Sequence, residues 1–158
     1  MNTSPPFPHA GFLSQLEASG TAACTCAGAP MPQPLRRVLM AAGDTGRPAP
    51  SVAWLIALLK ARAAVWQASL DTDAVADELR RYQKFARPGQ PSPHVVQLRQ
   101  RQAAVQRSAS RARQAFVAAA AAFVREASIE VPPRMALEAF VTGWIETHVP
   151  KATLSTTP

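Results

Sequence analysis

The stretch 93-PHVVQLRQRQAAVQRSASRARQAFVAAAAAFVREASI-129 decides the fold. Beyond Pro93 it contains neither proline nor glycine, and Ala118 to Ala122 form an unbroken alanine run. Alanine has the highest helix propensity of any residue, so the segment reads as one helix. Its apolar residues recur at Val95, Leu98, Val105, Ala109, Ala112, Phe116, Ala119 and Phe123, a near-heptad spacing broken only at Gln102. A helix of this length is about 50 Å long, so it must bend or project from a compact bundle. Its two halves differ. Val105, Ala109 and Ala112 offer little area to bury, whereas Phe116, Val117, Phe123 and Val124 offer more. The second half therefore reads as scaffold and the first half as a wetter surface.

Charge singles out that first half. From Arg80 to Arg125 the chain has ten basic residues and none of its ten acidic ones. The window carries +10 and the remainder −3, which gives the net +7. Arginine far outnumbers lysine, and its planar fork binds phosphate or carboxylate bidentately. A GC-rich genome also enriches Arg, Ala and Pro together, which accounts for the Arg/Lys ratio but not for the missing acids. The candidate binding face is Arg80, Arg81, Lys84, Arg87, Arg99, Arg101, Arg107, Arg111 and Arg113. The five arginines from Arg99 to Arg113 all lie off the apolar stripe.

Upstream, Pro88-Gly89-Gln90-Pro91-Ser92-Pro93 forms a rigid turn. Before it, two helices are expected. One starts with Ser51 as N-cap and runs to about Leu70, with a main stripe of Val52, Leu55, Ile56, Leu59, Ala63, Trp66 and Leu70. Trp54, Leu58 and Val65 make a second apolar face, so this helix belongs in the middle of the core. The other starts at Asp71-Thr72-Asp73, three residues suited to a helix N-terminus. It would bury Val75, Leu79, Tyr82 and Phe85, and Asp77 and Glu78 are spaced to pair with Arg80, Arg81 and Lys84.

Downstream, Val131-Pro132-Pro133 introduces a last helix with Leu137, Phe140, Val141, Trp144 and His148 on one face, ended by Pro150. Gly143 inside it predicts a close contact, with the alanine run as the natural neighbour.

Residues 1–50 carry eight of the 15 prolines. Such composition cannot bury enough to fold alone. Short helices are expected at Gly11–Ala18 and Pro34–Ala42, able to clip onto the main body. The expected whole is all-α. A four-helix bundle-like domain with one long helix spans 48–150, behind a Pro/Gly-rich, mostly irregular arm at 1–47 and before a flexible tail at 151–158. At 158 residues, one domain is enough chain for a genuine core.

Little recommends an enzyme. No GxSxG, P-loop, HExxH or glycine-rich phosphate loop occurs in the sequence. Asp73/Asp77 and Glu126/Glu130 are i,i+4 carboxylate pairs, best read as a helix N-terminal charge cluster and a solvated helix end. Cys24 and Cys26 are too close for an easy disulfide and make only half a metal site, with His9, His94 and His148 dispersed. No cofactor and no metal are expected. No stretch is long and apolar enough for a membrane span, and no apolar secretory segment is present, so the expected compartment is the cytoplasm, with uncleaved export as the alternative.

Three readings of the basic window compete. It is a solvated face, a nucleic-acid surface, or a dock for an acidic protein. Arginine along a long helix can follow a phosphate backbone, and Gln97, Gln100, Gln102, Gln106 and Gln114 add neutral hydrogen bonding. The turn before Pro93 is too long for a helix-turn-helix. No exposed aromatic pattern for stacking single strands is expected. Contact with DNA or RNA phosphates, without strong sequence readout, is therefore the leading expectation. The protein would be a small accessory or regulatory binding protein, of the kind that the Ala/Arg/Pro bias suits in a bacterial mobile element. The alternative is an adaptor, inhibitor or exported effector docking an acidic protein, and the thin half of the Pro93 helix can also complete its burial against a second copy.

Overall fold

A computed structural model describes residues 5–19, 31–40, 50–85, 89 and 92–151. Among these the chain is helical with no strand, as α1 (Ala10–Ser19), α2 (Gln33–Met40), α3 (Pro50–Gln83), α4 (Pro93–Glu126) and α5 (Leu137–His148). The expected all-α class holds. The expected division of the main body into four helices does not, because the Ser51 and Asp71 helices are one.

α3 runs unbroken through Asp71-Thr72-Asp73 for 34 residues, or about 51 Å. The polar triplet does not cap a helix there; two of its three side chains bond to the preceding turn. Thr72 Oγ1 donates to the Ala68 carbonyl (2.7 Å), and Asp71 accepts from Gln67 Nε2 (2.9 Å). Side chains that suit a cap can also bond back to the preceding turn, and here they do. Ser51 is likewise no N-cap. It is buried inside the first turn, and its hydroxyl donates to the Val38 carbonyl of α2 (2.7 Å).

α3 and α4 pack antiparallel along their lengths. Tyr82 meets His94, Glu78 meets Arg101, and Arg62 lies over Phe116. On α3, Ala61, Val65, Ala68, Thr72, Val75, Leu79 and Tyr82 recur in steps of four and three, the spacing of a coiled-coil seam. α4 answers with its expected stripe. Val95, Leu98, Phe116 and Phe123 are buried, and Gln102, Val105, Ala109, Ala112 and Ala119 are half-buried. The first half of that stripe is thin, as its small side chains predict.

The short helices gather at one end of this hairpin, the base. α1 and α2 pack on α3, and α5 packs on α4. Phe12 and Leu16 of α1, Leu35, Val38 and Leu39 of α2, and Val141, Trp144 and Ile145 of α5 share one core with Val52, Leu55, Leu58, Leu59, Phe116, Ala120 and Phe123. At the other end, the tip, Leu79, Val95 and Leu98 form a separate small cluster. From Ala68 to Gln83, α3 therefore has only α4 beside it among the described residues, an arm about 24 Å long.

Local bonds fix the ends. Ser92 Oγ accepts from the His94 N–H (3.3 Å), with Pro93 at the first turn of α4. α4 stops at Glu126, short of the expected Ile129, in a Schellman motif. Ser128 takes the left-handed position (φ 53°), its N–H donates to Arg125, and the Ile129 N–H donates to Val124. The two termini also meet at the base. His9 is buried, and its Nδ1–H donates to the Pro150 carbonyl (3.1 Å). Trp66 Nε1–H donates to the Pro5 carbonyl (3.3 Å).

Gly143 departs from expectation. It lies on the exposed side of α5, away from the alanine run, and a Cβ built there meets nothing within 4 Å.

Candidate functional site

The α3–α4 hairpin carries both parts of the expected basic face. Arg80 and Arg81 close α3, Lys84 sits in the turn that follows, and Arg99, Arg101, Arg107, Arg111 and Arg113 lie along α4. All eight side chains are exposed. Arg87 lies outside the described residues, as do Cys24 and Cys26.

Freedom from acids in sequence is not freedom from acids in space. Arg80 Nη2 lies 2.7 Å from Asp77 Oδ1, one helical turn back. Antiparallel pairing carries Glu78 to Arg101 (3.5 Å), and the turn after α4 carries Glu138 to Arg113, whose Nε and Nη2 both lie 2.9 Å from one carboxylate oxygen. Such exposed pairs contribute little to stability, but they occupy the cation. Among the described residues, Arg81, Lys84, Arg99, Arg107 and Arg111 carry no ion pair. Arg107 and Arg111 are one turn apart on the side of α4 facing away from α3. Gln100 and Gln114 extend that face, both exposed.

Two residues assigned to the buried stripe of α3 are not buried. Val75 and Leu79 are in the seam as expected, but Tyr82 is 47% exposed and Phe85 is 85% exposed. The reason is geometric. α3 ends at Gln83, so Phe85 falls in a turn beyond the last helical residue that α4 can cover. The Tyr82 ring only meets the His94 ring edge-on, with centroids 4.3 Å apart. The arm thus ends in exposed rings, where no exposed aromatic pattern for stacking single strands was expected. A stripe that continued past the last large side chain of its partner was the available signal.

The remaining chemistry-bearing groups are dispersed. Asp73 and Asp77 are solvated on α3, and Glu126 lies beside its neighbour Arg125. His9 bonds to Pro150, His94 packs on Tyr82, and His148 packs edge-on against Trp144. No helix among the described residues is long and apolar enough to cross a membrane. Comparison with known proteins places nothing beside this chain: no family model, curated protein or solved structure matches it.

Proposed function

We propose that this is a nucleic-acid-associated accessory or regulatory protein, not an enzyme, that lays the outer face of its helical arm along a phosphate backbone. The supporting observation is the set of five exposed cations, Arg81, Lys84, Arg99, Arg107 and Arg111, which carry no ion pair among the described residues. Four stand on two long helices that fix one another and Lys84 on the closed turn after α3, so little ordering is lost when a polyanion docks. Arg80, Arg101 and Arg113 are exposed as well, but each must exchange a carboxylate for a phosphate. Neutral side chains such as Gln100 and Gln114 extend the contact without adding charge. Contact to phosphates positions a protein without reading sequence. The compartment this reading implies is the cytoplasm.

The test is a titration of labelled DNA at two salt concentrations. Counterion release demands that the logarithm of the affinity fall steeply with the logarithm of salt, by about 0.9 per phosphate neutralised. Five contacts give a slope near −4.5, by the same relation, roughly. No binding at about 50 mM salt, where the electrostatic contribution is large, would sink the proposal.

An acidic protein partner is the second reading. One observation favours it: a shallow, mostly apolar depression beside Arg113, lined by Ser110, Gln114, Val117, Ala118 and Ala121 on the outer side of α4. A phosphate backbone has no use for that patch.

A further inference from the structure

We propose that the tip of the arm stacks unpaired nucleobases, so that the protein favours single-stranded nucleic acid over continuous duplex. This rests on the phosphate-binding reading above and names its substrate class. Phe85 is the most exposed large apolar side chain among the described residues. Its position is not that of a loose end. The Phe85 N–H donates to the Tyr82 carbonyl (3.2 Å) and the Lys84 N–H to the Arg80 carbonyl (3.4 Å), so a closed turn presents the ring. Tyr82 supplies a second, half-exposed ring one turn earlier.

The neighbours of these rings give the chemistry of the partner. Lys84 is adjacent to Phe85 in the chain and Arg81 is one turn back; neither has an ion pair among the described residues. Arg81, Tyr82 and Phe85 line a groove with Asp77 and Glu78, but those carboxylates are held by Arg80 and Arg101. An exposed ring flanked by free cations suits a ligand that is aromatic and anionic in alternation. A single strand is such a ligand: its bases offer π-faces and its phosphates lie between them. In a continuous duplex those faces are stacked on one another and closed to the tip. Ring stacking is also indifferent to base identity, in keeping with a surface that reads phosphates rather than sequence.

The full chain is titrated with a fluorescein-labelled oligothymidine and with a labelled duplex of equal length, at about 50 and 200 mM salt. The expected result is tighter binding of the single strand. Phe85→Ala then weakens that binding about tenfold and leaves duplex binding and the salt slope unchanged, while Phe85→Trp retains it. Equal affinity for the two ligands, unaffected by Phe85→Ala, overturns the stacking role and leaves the phosphate reading standing. No binding of either ligand at the lower salt overturns both. Phe85-dependent binding to phosphatidylserine vesicles, without oligonucleotide binding, also overturns both and makes the tip a membrane-surface contact. Because Phe85 is almost wholly solvated, its replacement leaves the fold intact, and an unchanged helical circular dichroism spectrum checks this.

Discussion

The base and the arm of this molecule are made from the same two helices, yet they are built for different work. At the base, α3 and α4 present Leu55, Leu58, Leu59, Phe116 and Phe123 to one another and to three short helices. All five of these side chains are fully buried. In the arm, among the described residues, the same helices meet only each other, across Ala68, Thr72, Val105, Ala109 and Ala112, until the small cluster of Leu79, Val95 and Leu98 closes the tip. Small seam residues let helices approach closely but bury little area, so most of the hydrophobic stabilisation lies at the base. What the arm offers instead is surface. Its exposed cations can be replaced without touching a core.

The difference can be broken by substitution. The largest effect belongs to Phe116→Ala. Phe116 is fully buried beneath Arg62, and its truncation leaves a cavity in the main core. A loss of about 3–5 kcal/mol is expected, enough to shift the denaturant midpoint of the whole chain. Leu98→Ala at the tip should cost less, about 2 kcal/mol, because only a three-residue cluster loses contacts and little packed structure holds the gap open. Hydrogen exchange gives the sharper readout. Leu98→Ala should speed exchange in the arm while amides around Phe123 and Trp144 stay protected. Uniform acceleration in both regions would mean that base and arm unfold as one unit.

Two small gains complete the series, both at the base. Gly143→Ala should stabilise by up to about 1 kcal/mol, because the site is helical, exposed and open to a methyl group. Ser128→Gly should stabilise by a similar or smaller amount, roughly 0.5 kcal/mol, by removing a left-handed serine from the C-terminal motif of α4. Thermal melting resolves both. A loss of stability in Gly143→Ala would show that α5 has a neighbour at Gly143 in solution.

Much of the fold was legible in the sequence because it rests on periodicity. The stripe of α4 from Val95 to Phe123, the buried face of α5 and both short N-terminal helices follow from apolar spacing and from proline and glycine punctuation. The failures came where one residue type has two uses. Asp71-Thr72-Asp73 can cap a helix or bond within one, and spacing alone does not choose; the long helix was chosen by α4 lying alongside it. Tyr82 and Phe85 continue the spacing of the seam, but burial requires a partner, and α4 has nothing large beyond Leu98 and Val95 to offer. His9 and Pro150 are joined only by the fold, at opposite ends of the chain. The basic face was legible as a run of residues. Its partial neutralisation was not, because Glu78 and Glu138 reach Arg101 and Arg113 through the hairpin and the turn rather than through sequence.

The central claim is that Arg99, Arg107 and Arg111 meet phosphate and do nothing for the fold. Salt-dependent DNA binding by the triple variant Arg99→Ala/Arg107→Ala/Arg111→Ala, measured beside its melting temperature, tests it most directly. The claim predicts a salt slope shallower by about 2.7, three contacts at about 0.9 each, with melting within about 2 °C of the parent chain. An unchanged slope, or a variant that no longer folds, would contradict it.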